Sequence, residues 1–231
     1  IRANTEFTRG NLTFGENFTV SYDARVGVPS GNNSESNPIT FAIRVQPIIP
    51  VFDITGGPRG LGGTNTSDLN GFAGSRGSNL GNAPNPLARQ WREKDNITYG
   101  THMFGNVFLE YKILKDLKFR TSLGFEYNNS NFSQYLNRDI EAAEPRSANS
   151  LTVYNNYDRA ITWYNTLTYN KTIGDHTIGV LAGTEAVSTY SFGFNAARSN
   201  FAFDDMTYRY LNMGSAAGLS NAGSGALITA L

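Results

Sequence analysis

Residues able to do chemistry are sparse in these 231 residues, which contain two histidines and no cysteine. A Ser-His-Asp type hydrolase needs an imidazole within hydrogen-bond reach of its nucleophile. His102 and His176 are therefore the only candidates for that role. The adjacent acids Asp204 and Asp205 offer carboxylate oxygens to a calcium ion, although neighbouring acids in a polar stretch are as a rule simply solvated. Between Gly56 and Gly63 a glycine-rich run imitates a phosphate cradle. It lacks the Gly-Lys-Ser/Thr ending and the strand-to-helix setting that such a loop requires, so it reads as a flexible loop. Asn-x-Ser/Thr sequons at Asn11, Asn17, Asn96 and Asn170 are expected by coincidence in an Asn-rich chain. Trp91, Tyr135, Tyr154 and Tyr157 are different. They fall in long polar segments where flat rings can stack on sugar or peptide, with plain loop packing as the competing reading.

The elements that would carry these residues have a period of two. From Met103 to Ile113, the residues Met103, Gly105, Val107, Leu109, Tyr111 and Ile113 share one face, and Phe104, Asn106, Phe108, Glu110 and Lys112 the other. After Leu114-Lys115-Asp116 the pattern resumes, with Leu117, Phe119, Thr121, Leu123, Phe125 and Tyr127 opposite Lys118, Arg120, Ser122, Gly124 and Glu126. This is a β-hairpin with unusually long arms. Arms of about eleven residues at ~3.3 Å each, tilted near ~45°, rise roughly 26 Å, which suits a membrane barrel wall. A second hairpin carries Ile161, Trp163, Leu167 and Tyr169 on one face, continued by Ile178, Val180 and Ala182. An Ile173-Gly174 turn would pair Leu167 with Val180 and Tyr169 with Ile178. Earlier in the chain, Leu12-Thr13-Phe14 and Phe18 to Tyr22 look like strands around a turn at Gly15-Glu16-Asn17. Near the end, Ala226-Leu227-Ile228 looks like the start of another.

Composition narrows the class. Lys plus Arg and Asp plus Glu number 19 each, so no net field recruits nucleic acid. At 39% hydrophobic, 13% aromatic and 16% charged residues, the chain is neither disordered nor charged like an ordinary soluble surface. No apolar run of about 18 residues exists, which leaves a barrel as the route through a bilayer. The expected fold is all-β: an antiparallel up-and-down transmembrane β-barrel segment of about six strands, with short periplasmic turns and long extracellular loops near 28–98, 129–157 and 188–224. The smallest common barrels need eight strands, so the barrel is expected to be incomplete in this chain.

At Gly105 to Lys112 and Leu114 to Thr121 the residues resemble a barrel hairpin of the SusC/RagA family of TonB-dependent outer-membrane transporters of Bacteroidota. Four further stretches agree in order: Pro47 to Asp53, Gly81-Asn82 with Asn85-Pro86, Trp163 to Tyr169, and Ala182 to Glu185. The resemblance covers the middle of a family member. Neither a plug domain nor a TonB box has a counterpart here, so TonB would act only through other parts of a longer protein. It implies a plugged barrel of about 22 strands in the bacterial outer membrane, importing oligosaccharides or peptides with a SusD-like lipoprotein over its outer face. No catalytic residue, metal or cofactor is implied. The alternative is a soluble or surface glycan-binding β-sandwich.

Three expectations separate these readings. The short turns should lie at one end of the sheet. Glu110 should meet Lys118 or Arg120 on the inner face, whichever register the turn adopts. Leu109, Leu123, Phe125, Trp163, Leu167 and Val180 should form one exposed, lipid-facing belt, whereas a sandwich would bury Leu109, Leu123 and Leu167 under a second sheet. In the barrel, His102 lies near the outer rim and His176 beside a short turn, too far apart to share a site.

Overall fold

The computed structural model describes residues 1–26, 38–53, 71–76, 79–139, 141–204 and 209–230. Seven strands form one sheet in chain order: β1 (Arg2–Arg9), β2 (Leu12–Val26), β3 (Ile97–Leu114), β4 (Leu117–Leu136), β5 (Ser150–Ile173), β6 (His176–Ser199) and β7 (Ser220–Ala230). Every neighbouring pair is antiparallel. Two short helices, α1 (Pro38–Arg44) and α2 (Pro86–Glu93), lie in the segment between β2 and β3. No second sheet covers this one among the described residues. That overturns the sandwich alternative.

The short turns share one end of the sheet. Lys112 N donates to Asn11 O at 2.9 Å and Asn170 N to Asp116 O at 2.9 Å, which brings the β1–β2, β3–β4 and β5–β6 turns into one row. The glycines decide where two of these turns fall. Gly10 and Gly174 have φ of 61° and 59°, which suits the first central position of a II′ hairpin turn. So the first turn is Gly10-Asn11, not Gly15-Glu16-Asn17, and β2 runs unbroken through the latter. Gly15 is glycine for another reason: a Cβ there would lie 2.3 Å from the Phe108 ring packed across it. The β5–β6 turn is likewise Gly174-Asp175, not Ile173-Gly174, because a β-branched Ile173 is ill suited to a left-handed turn position. Leu167 therefore faces Ala182, and Tyr169 faces Val180. The shift is one residue on each arm, so every side chain keeps its face.

The strands are longer than the alternation indicates, and there are seven instead of six. β4 extends to Leu136, β5 begins at Ser150, and β6 extends to Ser199. The expected loops at 129–157 and 188–224 shrink accordingly. Asn128 to Asn131 and Asn155-Asn156 are strand, held by the ladder and by side chains such as Asn131 Nδ2, which donates to Asn129 Oδ1 at 2.8 Å. At ~3.3 Å per residue the 24-residue β5 and β6 are roughly 80 Å long, far more than a ~25 Å apolar band requires. Their upper halves carry aromatic side chains on one face, where Tyr157, Tyr190, Phe192 and Phe194 lie ring against ring.

Across the lower half the two faces differ in kind. One row reads Glu16, Val107, Leu123, Trp163 and Ala186, and the next Phe18, Gly105, Phe125, Ile161 and Ser188. Leu109, Leu123, Phe125, Trp163, Leu167 and Val180 all lie on this face, each 38% to 56% exposed. Polar interruptions occur at Glu16 and Asn165. On the opposite face Asn106, Glu110, Lys118, Arg120 and Ser122 are half-buried or buried, whereas Phe104 and Leu181 are exposed.

Candidate functional site: the inner wall and the outer rim

The inner wall is built by register. Glu110 faces Arg120 across the β3–β4 ladder, with a bulge at Ile113 absorbing the slip beside the Lys115-Asp116 turn. Lys118 Nζ lies 3.5 Å and Arg120 Nη1 4.0 Å from Glu110 Oε2. The expected carboxylate-to-cation contact is present. Arg120 also sits 3.8 Å over the Phe108 ring, which fixes its guanidinium against the wall. Ser122 donates to Val107 O at 3.3 Å and accepts from Asn106 Nδ2 at 3.2 Å. Toward the rim from this cluster an open hollow of about 660 Å³ is bounded by Phe104, Glu126, Gly124, Ala160, Thr162 and Arg2. Small residues at its floor make room for a polar solute or an inserted segment of protein.

At the far end of the sheet the connections fold into a layer with its own core. Asn85 caps α2, its Oδ1 accepting from Leu87 N at 3.0 Å and Ala88 N at 3.2 Å, while Pro86 sits in the first turn. The amide of Asn85 also donates to Val51 O and Ala73 O, both at 2.9 Å, tying the helix start to the preceding segment. From the last turn of α2, Arg92 reaches Glu141 with two parallel bonds of 2.6 and 3.0 Å, and Glu141 is nearly inaccessible. Such a fork fixes direction as well as charge.

Two asparagines continue the ladders where the strands stop. The Asn96 side chain accepts from Tyr135 N at 2.8 Å and donates to Tyr135 O at 3.1 Å. Asn149 does the same with Phe201, at 2.7 and 3.0 Å. Each amide imitates a peptide group paired with a neighbouring strand. Between them, the Tyr135 ring packs edge-on against Phe201 at 5.5 Å, with Leu151 completing the cluster. The Tyr135 hydroxyl lies 3.1 Å from Phe203 O and 3.2 Å from Asp204 Oδ1. Asp204 also accepts from Arg138 Nε at 2.8 Å and from Asn149 Nδ2 at 2.8 Å. Tyr135 lies eight residues beyond Tyr127, clear of the apolar rows, and burial, followed by the Asp204 charge, raises its pKa well above the ordinary tyrosine range.

The four aromatic candidates part company here. Trp91 is half-exposed on α2, with Lys94 Nζ 3.7 Å over its ring. Tyr154 is exposed on the same face as the inner wall, facing Phe132 and Asn195. Tyr135 is buried and holds the rim together, so it presents no ring to a solute in this arrangement. Tyr157 lies on the apolar-row face, among Tyr127, Tyr190 and Phe192. His102 faces Asn128 and its Nδ1 lies 2.7 Å from Asn128 Oδ1, whereas His176 closes the Gly174-Asp175 turn, so the two stand at opposite ends. Asp204 is taken up by its rim partners, and Asp205, like the run from Gly56 to Gly63, lies outside the described residues. Arg92, Glu141, Asn96 and Asn149 escaped sequence reasoning because their partners are 39 to 52 residues away. Asn85-Pro86 before an apolar-periodic stretch was a readable helix start.

Comparison with known proteins gives the arrangement a context. No family model matches the chain. The chain is 26% identical over 130 residues to the TonB-dependent receptor P3 of Formosa agariphila, a match covering 56% of this chain and 13% of the receptor. The RagAB peptide transporter superposes on 99% of this chain with a TM-score of 0.68 at 16% identity. The RagAB peptide importer in its 'open-open' state gives 0.62. The fold is that of a SusC/RagA-type outer-membrane barrel wall. Our chain spans about a quarter of the RagAB chains it superposes on and a still smaller part of the receptor. In this SusC/RagA-like fold the seven strands form one open sheet, with a charged row on one face and an apolar row on the other.

Proposed function

We propose that the chain is part of a TonB-dependent importer that takes up peptides or oligosaccharides across the bacterial outer membrane. The observation that carries this reading is the opposition of an uncovered apolar face to a charged, half-buried one in a sheet with the RagAB fold. In that reading Leu109, Leu123, Phe125, Trp163, Leu167 and Val180 face lipid, the short turns face the periplasm, and the long connections face outward. The chain does no covalent chemistry. Its inner wall and rim bind the solute and pass it on, with Trp91 and Tyr154 offering exposed rings. TonB would act through parts of the longer protein.

A SusD-like lipoprotein is the proposed partner at the rim. Supporting this, α1 exposes Ile39 and Ile43 and α2 exposes Leu87 and Trp91, pairs four residues apart on each helix. Two such helices side by side offer a partner apolar anchors in a polar surround. The test is uptake in cells carrying the full-length protein. Deleting its gene should abolish growth on the transported peptide or glycan, and Leu87→Asp with Trp91→Ala should weaken co-purification of the lipoprotein while leaving the barrel inserted. Undiminished uptake after deletion would refute the importer, and undiminished co-purification would refute the rim as the docking surface.

A further inference from the structure

Arg159 breaks the pattern of the outward face. It stands in the row Met103, Tyr127, Arg159, Tyr190 and Leu227, directly beyond the Phe125 and Ile161 row. Its guanidinium carbon lies 5.2 Å from the Tyr190 ring centroid. Around it Tyr127 and Tyr157 lie 5.9 Å apart, Tyr157 and Tyr190 5.4 Å, and Tyr157 and Phe192 6.2 Å. The neighbouring carboxylates are on the other face: Asp158 accepts from Ser191, and Glu126 from Asn128. No ion pair engages Arg159 among the described residues.

Its height matters. Tyr127 is ten residues beyond Leu117, so the row stands about 33 Å along the strand and roughly 23 Å along the membrane normal at a ~45° tilt. An apolar band about 25 Å tall ends there, and aromatic girdles mark such edges. Tyr111 and Phe119 pair at the opposite edge, beside the short turn. A cation facing hydrocarbon is costly, but at the edge it reaches the headgroups. A guanidinium matches phosphate oxygens with a fork of donors, and three phenol hydroxyls beside it add further donors.

We propose that Arg159, with Tyr127, Tyr157 and Tyr190, forms a binding site on the outer wall for the phosphate of an outer-leaflet lipid headgroup. This rests on the barrel reading, because it requires the apolar rows to face lipid. Full-length protein in mixed micelles would be offered a phosphorylated disaccharide lipid and its dephosphorylated form, and the retained lipid counted by native mass spectrometry. Wild type should prefer the phosphorylated form, and Arg159→Gln should reduce that preference by about fivefold, the effect of one cation near an anionic surface. Arg159→Lys should keep part of it, and Arg120→Gln, on the inner face, all of it. A wild-type preference in Arg159→Gln would overturn the site. Vesicle insertion measured beside it separates the two readings, since failure of wild type to insert would sink the barrel reading as well, whereas insertion without phosphate preference would sink the lipid site alone.

Discussion

The two ends of this sheet solve burial in opposite ways. Near the short turns, Leu123, Trp163 and Val180 are exposed, and the buried side chain is a serine, Ser122. At the rim, Tyr135, Leu151 and Phe201 are buried, and so are the polar side chains of Asn96, Glu141 and Asn149. In the proposed barrel the lower half meets hydrocarbon on one face and makes polar contacts on the other, whereas the rim has an apolar cluster and buried polar groups such as Asn96, Glu141 and Asn149 that find partners. One strand, β4, passes through both regimes between Leu123 and Tyr135.

The largest effect expected in the rim comes from its buried fork. Replacing Arg92 by alanine takes both bonds of the fork away from the buried Glu141 carboxylate, a loss of about 3 to 5 kcal/mol. Hydrogen exchange should show residues 79–96 and 137–149 losing protection while the ladder near the short turns keeps its own. If both ends lose protection together, the rim is not a separate layer and the comparison breaks.

A second test addresses the lower half. Leu123→Arg should cost about 2 to 4 kcal/mol near the bilayer midplane, measured by denaturant titration of the full-length protein folded into vesicles. Ser122 is a poor inward control, because it is buried and bonded to Asn106 and Val107. Thr162 borders the open hollow, and Thr162→Arg should change stability by no more than about 0.5 kcal/mol. Equal costs at the two positions would mean that the faces do not see different solvents.

These two regions were unequally legible. The lower halves of β3 to β6 could be read because an apolar face and a polar face alternate strictly along them, and even the misplaced Ile173-Gly174 turn left Leu167 and Val180 on their proper face. β1 was lost because Arg2, Asn4 and Glu6 alternate with Ala3 and Thr5, a weak contrast at the edge of the sheet. The upper strands were lost because Asn128 to Asn131 meet water on both faces, so hydrogen bonding and not hydrophobicity keeps them extended. The rim's pairs depend on contacts distant in sequence, and Tyr135 looked like a binding ring because nothing nearby in the chain announces Phe201.

The asparagine brackets give an intermediate effect. Asn149→Ala strands Phe201 N and O and removes a donor from Asp204, costing about 1 to 3 kcal/mol. Asn96→Ala should cost a similar amount at Tyr135. Because the sites lie on different strand pairs, each should loosen its own connection, 200–204 in one case and 94–97 in the other. Exchange protection lost at both segments in either variant would show that the rim opens as a unit.

The smallest effect should come from one hydroxyl. Tyr135→Phe keeps the ring against Phe201 and removes the donor near Phe203 O and Asp204, for about 0.5 to 1.5 kcal/mol. The sign of its pH dependence follows from the raised pKa. The folded state holds the phenol proton more tightly than the unfolded chain does, so the contribution is complete below the ordinary tyrosine value of 10.0 and declines as pH rises above it. Thermal unfolding of the rim, followed by Trp91 fluorescence in a Trp163→Phe background, should therefore fall more steeply above pH ~10 in the parent than in Tyr135→Phe. Parallel declines would show that the Tyr135 proton is not what Asp204 holds, and that Arg138 and Asn149 alone keep that carboxylate in place.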